Sequence, residues 1–183
     1  MKIQIILLML TLLGFQSIGA QQLLDHLSNP YISESNRITS VEELNIIKNR
    51  IFREHFDTNN PYPKDELGEN ETYYRIQYKG KEGYISLMYS QGDGEQTRSI
   101  EDITESYLKG LLSGYVYEDF IKGYVKQSNL HGGFYFNMEN TNVHIFIDSK
   151  PREDFVWATI EINLNAADRE ALARDFISKT EFR

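Results

Sequence analysis

Few side chains in this chain are spaced for chemistry, and spacing limits what each group can do. His131-Gly132-Gly133 places an imidazole beside two glycine amides. Such amides can face a developing oxyanion, provided a serine nucleophile sits at the centre of G-x-S-x-G. The nearest stretch, Gly110-Leu111-Leu112-Ser113-Gly114, has its serine one place late and lies in a helical pattern. The two glycines are therefore expected in a helix-to-strand turn. The four histidines, His26, His55, His131 and His144, include no pair four residues apart, and no H-E-x-x-H occurs. His144 and Asp148 share a face of one expected strand but stand about 13 Å apart. Asp57-Thr58-Asn59 opens like a calcium loop, yet Tyr62 and Gly68 occupy the positions that require glycine and a bidentate acid.

Carboxylates are abundant, so pairs can always be nominated for glycosidase chemistry. Glu161, beside Trp157 and Thr159, is the least arbitrary candidate for acid–base work; a surface acid on a sheet is the default. Asp65, Glu66, Glu69 and Glu71 form an acidic loop of the kind that is usually solvated. Neither G-x-x-x-x-G-K-[ST] nor G-x-G-x-x-G is present. No metal, no cofactor and no catalytic group are expected.

The elements that would position these residues are readable from period and caps. Ser40-Val41-Glu42-Glu43 is a capping box, followed by Val41, Leu44, Ile47, Ile51 and Phe52 at helical spacing. Residues 72–91 alternate on either side of Lys79-Gly80-Lys81-Glu82-Gly83, which breaks the run, and predict a β-hairpin with a glycine-bearing turn. Ser99 opens a second helix with Ile100, Ile103, Tyr107, Leu108 and Leu111 on its stripe. Ser113-Gly114 should interrupt that helix, and Tyr117, Phe120, Ile121 and Tyr124 continue it as a further stripe. Residues 133–164 alternate in three runs separated by polar turns, which predicts a three-strand meander. Asn165 caps a last helix carrying Leu172, Ala173, Phe176 and Ile177. The expected class is α+β: a mostly antiparallel five-stranded sheet, hairpin plus meander, packed with three to four helices.

One face of that sheet should be apolar, and its opposite face is not plainly polar. It collects Tyr73, Tyr84, Met88, Tyr135, His144, Phe146, Phe155 and Trp157. A sheet wetted on one side should alternate more cleanly. Either the chain's own helices cover the second face in an α/β/α layering, or an aromatic concavity takes a ligand. In the second case Tyr73, Tyr84, Tyr135, His144, Phe146, Trp157 and Glu161 would line it.

The first twenty residues read as an address. Lys2 precedes an apolar run from Ile3 to Phe15, and Ser17-Ile18-Gly19-Ala20 ends in small residues before Gln21-Gln22. That is the layout of a secretory signal peptide, too short to span a bilayer. Residues 1–20 are expected to be removed, leaving a single domain over 21–183. The chain has no cysteine, which excludes a disulfide framework and a thiol nucleophile and favours a bacterial periplasmic or secreted protein. A net charge of −8 disfavours nucleic acid. No stable membrane insertion is expected once the leader is gone. These readings converge on an exported, non-enzymatic binding protein. Its partner would be a protein, met by the acidic loop and by Glu101, Asp102 and Glu105, as in an inhibitor or immunity-type module. The alternatives are a small-ligand binder using the aromatic face, for a sugar or an apolar metabolite, and a hydrolase with an unrecognised acid–base pair.

Overall fold

Alternating side chains build one large sheet, and capped helices are laid on both of its faces. The computed structural model describes residues 16–17, 20–59, 63–91, 99–111, 120–149 and 154–183. The described helices are α1 (Ala20–His26), α2 (Val41–Phe56), α3 (Ile100–Leu111) and α4 (Ala166–Ser178). The strands are β1 (Gln16–Ser17), β2 (Leu27–Ser28), β3 (Arg37–Ile38), β4 (Thr72–Tyr78), β5 (Lys81–Gln91), β6 (Phe120–Lys126), β7 (Leu130–Asn137), β8 (Asn142–Ser149), β9 (Asp154–Ile162) and β10 (Glu181–Phe182). Neighbours in the main sheet follow the order β3-β4-β5-β9-β8-β7-β6, every pair antiparallel. β1 adds two residues at the edge of β5, and β2 with β10 forms a separate two-stranded sheet.

The fold is thus α+β with a large antiparallel sheet, but that sheet has seven strands along its path rather than five. β3 is one addition. The other is β6, formed by residues that the helical spacing of Phe120, Ile121 and Tyr124 had assigned to a helix. Phe120 and Tyr124 are four apart, and a step of four fits the helix period and the strand period equally. The strand wins because Ile121, Gly123 and Val125 then lie on the apolar side, paired along β7. Tyr117, Ser113 and Gly114 lie outside the described residues, as does most of the leader.

Caps act where the sequence places them. Ser40 accepts from the Glu43 amide at 3.1 Å, and Asn165 accepts from the Asp168 amide at 2.9 Å. Glu43 turns its carboxylate to Arg75 at 2.5 Å instead of closing the capping box. The β4–β5 connection is two residues, Lys79 and Gly80, both at positive φ (48° and 76°), the geometry of a type I′ turn that matches strand twist.

The main core lies between the sheet and α1 plus α4, where Ile85, Ile145, Ile160 and Phe134 meet Leu23, Leu172 and Phe176. The opposite face is covered twice. α2 sets Leu44, Ile47 and Ile51 on Tyr73 and Tyr84. α3 sets Ile100, Ile103 and Leu108 on Tyr135, Phe146 and Phe155. The result is α/β/α layering around an antiparallel sheet.

Gly132 and Gly133 are not in a helix-to-strand turn; both lie inside β7. Successive strand residues face opposite ways, so each glycine admits a different helix. A Cβ on Gly132 would collide with Ile177 of α4, and one on Gly133 would collide with Thr104 of α3. Gly132→Ala should therefore cost about 1–3 kcal/mol of stability through forced repacking. At Gly110, where nothing lies within 4 Å of an added Cβ, alanine should stabilise by up to about 1 kcal/mol through helix propensity. Denaturant midpoints of the two variants check this contrast.

Candidate functional site

Strand register decides which of the expected site residues meet. Tyr73, Ser86, Thr159, His144, Tyr135 and Lys122 are directly opposite one another in a row across five interstrand pairings. One step along the strands, Met88, Trp157, Phe146, Gly133 and Tyr124 form a second row. One step the other way lie Tyr84, Glu161 and Asn142. All seven candidate residues therefore occupy one face in three adjacent rows.

They do not line an open concavity. Tyr73, Tyr135 and Phe146 are completely buried, and Tyr84 and Glu161 nearly so. Tyr107 of α3 sits over Phe146 at 4.8 Å and over Trp157 at 5.0 Å between ring centroids. Phe146 continues the stack to Tyr135 at 6.0 Å and Phe155 at 6.3 Å. Such offset and tilted ring pairs stabilise beyond the area they bury. Only His144 and Trp157 keep partial exposure.

The polar groups on this face are bound to each other. Tyr84 donates its hydroxyl to the Glu161 carboxylate, whose other oxygen accepts from Thr141 at 3.5 Å. Burial raises the Glu161 pKa above the usual carboxylate value, opposed by the Tyr84 hydrogen bond and the charge of Lys48. Burial beside that carboxyl also pushes the Tyr84 hydroxyl well up. Lys48 is pulled down by its own burial, and the nearby Glu161 opposes that shift. His144 stacks on Tyr135 at 4.8 Å and exchanges a hydrogen bond with Thr159 at 3.3 Å. Burial lowers its pKa to about 4, so the imidazole is neutral at physiological pH. His144 and Glu161 pair with different neighbours and form no acid–base couple. Glu161 is a hidden, hydrogen-bonded acid, chemically poised to hold a proton in place.

Spacing alone missed Lys48 and Thr141. Lys48 was visible as a cation on the apolar stripe of α2, four residues after Leu44 and three before Ile51. A second cluster lies nearby, where the Tyr73 hydroxyl meets the Glu71 carboxylate and the Lys64 ammonium. Among the described residues no three His, Asp or Glu side chains form a metal-ligating group. A cavity of about 390 Å³ opens by the β4–β5 turn, between α2 and the Gln77–Glu82 row next to Tyr84 on the same face. Ion pairs Arg50–Glu82 and Lys81–Glu54 cross it.

The acidic surfaces divide. Glu101 pairs with Lys126 at 2.7 Å, Glu105 pairs with Lys122, and Asp102 bonds to the capping Ser99. In the loop after α2, Asp65, Glu66 and Glu69 are exposed and form no ion pair among the described residues. The loop is pinned to α2 by Asn45, which donates to the Lys64 carbonyl at 2.8 Å and accepts from the Lys64 amide at 3.0 Å. No described helix is long and apolar enough to cross a membrane. Comparison with protein-family models, with curated proteins and with solved structures finds no match.

Two measurements follow from this packing. Trp157→Ala should lose about 3 kcal/mol of stability, because its ring is wedged against Tyr107 and Phe146; Trp157→Phe should lose far less, since the indole nitrogen has no hydrogen-bond partner. Denaturant curves read both. Stability should also carry two opposing pH dependences. The folded His144 pKa is depressed, so its contribution is full above 6.5 and is lost as pH falls towards 4, a loss of roughly 1–3 kcal/mol. The folded Glu161 pKa is raised, so its contribution is full below 4.5 and is lost as pH rises through the raised value. In a plot of stability against pH, His144→Gln should remove the loss on acidification below 6.5, and Glu161→Gln should remove the loss that begins as pH rises above 4.5.

Proposed function

We propose that this chain is an exported protein that acts by binding a basic polypeptide, without chemistry of its own, in the periplasm or outside the cell. The leader layout supports the compartment, with Ile3–Phe15 apolar and Ala20 as the cut. The observation that carries the binding reading is the loop bearing Asp65, Glu66 and Glu69. Its three carboxylates stand in solvent while the Asn45 clamp and the Lys64–Glu71 pair hold the loop in place. A fixed loop with unneutralised charge loses little conformational entropy on meeting a partner and steers its approach. The α3 acids contribute less than their sequence suggests, since β6 lysines neutralise Glu101 and Glu105.

Binding of this kind should weaken as the Debye length shrinks from about 10 Å at 0.1 M salt to about 3 Å at 1 M. Asp65→Asn, Glu66→Gln and Glu69→Gln together should reduce partner recovery from the native envelope fraction while leaving the melting temperature nearly unchanged. Recovery insensitive to both salt and the triple substitution would overturn the reading.

A further inference from the structure

β5 is longer than the strand beside it. β4 runs alongside β5 only from Lys81 to Leu87, ending with Thr72 opposite Leu87. On its other side, β9 backs β5 as far as Ser90, opposite Phe155. Met88–Gln91 therefore extends past β4, with backbone groups on that side that point away from β9. An uncovered edge of this kind is a template for another strand.

In the chain as it stands, that template is used. β1 lies on it antiparallel, with Ser17 opposite Ser90 and Gln16 opposite Gln91. The walls of the edge are also defined. Tyr89 is buried at its root, stacked on His26 at 5.7 Å and tilted to Phe182 at 6.5 Å. Ser90, on the other face, is itself buried, and the residue paired with it, Ser17, is a small one. The segment that occupies the edge belongs to the twenty residues read as a leader. Cleavage after Ala20 would carry Gln16 and Ser17 away from Ser90 and Gln91, while Leu23 and Leu27 belong to the core that remains.

We propose that this edge is a strand-acceptor site. Once the leader is gone, Met88–Gln91 takes an extended segment of another polypeptide, antiparallel, with a small side chain opposite Ser90. Main-chain hydrogen bonds supply affinity in such strand addition, and the alternate side-chain positions supply selectivity. The inference rests on the reading of an exported polypeptide binder and names a second place where that polypeptide would engage. The edge and the acidic loop are separable, because the first depends on backbone pairing and the second on charge.

The test uses the processed protein, purified after export, and a synthetic peptide of residues Leu13–Ala20 as probe. Amide hydrogen exchange is read residue by residue. The amides of Met88–Gln91 that face away from β9 should exchange fast in the protein alone and become protected when the peptide is added. The same peptide carrying Gln16→Pro and Ser17→Pro lacks those N–H donors and should leave them unprotected. Absence of protection by the first peptide, or protection that the prolines do not remove, overturns the proposal. Amides already protected in a processed chain that runs as a dimer would assign the edge to a second copy, and overturn it too. The mass of the purified chain separates this failure from failure of the export reading. If Met1 is retained, the edge is read in the intact chain. There the two proline substitutions must expose the amides and create binding of the unsubstituted peptide, or the proposal falls.

Discussion

Burial of the sheet on both faces is the constraint from which the other features follow. β5, β8 and β9 have both faces largely covered, one by α1 and α4 and the other by α2 and α3. A polar side chain on such a strand has to find a partner within the fold, since an unpartnered buried group is costly. Glu161 finds Tyr84 and Thr141, and His144 finds Thr159. The aromatic rings of the second face serve the same constraint from the apolar side, filling the space under the two helices. Paired glycines in β7 let both layers approach at the same point of the sheet.

The layers are also tied by one buried cation. Arg169 of α4 is almost wholly enclosed. Its guanidinium donates to the carbonyls of Asn137 at 2.9 Å and Met138 at 3.1 Å, and to that of Asn140, and lies over the Phe136 ring at 4.8 Å. A planar group with several donors suits a tight turn whose carbonyls converge, which an ammonium would satisfy less well. The β7–β8 turn and α4 are therefore positioned together. His55 fastens the far side of the same turn, reaching the Glu139 carbonyl and the Asn163 side chain at 3.1 Å each.

How much of this was legible depends on whether a signal is local. The caps at Ser40 and Asn165 and the period-two runs of β4, β5, β7, β8 and β9 are local signals, and each element appears; the hairpin turn closes at Lys79-Gly80, so β5 begins at Lys81 inside the expected break. The class and the antiparallel pairing followed. β6 was misread because Phe120 and Tyr124 satisfy two periods at once, and only the partner strand decides between them. β3 was missed because two residues carry no periodicity. The sharing of one face by Tyr73, Tyr84, Tyr135, His144, Phe146, Trp157 and Glu161 was legible from parity. Their cover was not, since it depends on where α2 and α3 fall in space. The Glu161–Tyr84 contact joins positions 77 residues apart, and no spacing rule connects them.

The way the two ends of the described chain meet bears on when the fold can be completed. Leu27 pairs with Phe182, the Arg183 amide bonds to the His26 carbonyl at 2.8 Å, and Asn29 reaches Phe176 and Thr180 across 147 and 151 residues. Contacts of such separation close the longest loops and are the slowest to form. A chain threaded N-terminus first through a narrow conduit would thus hold its opening helix without its C-terminal partners until the final turn of α4 arrives. Closure would wait for delivery of the last residues, and a polypeptide that must stay extended in transit gains that delay from topology alone.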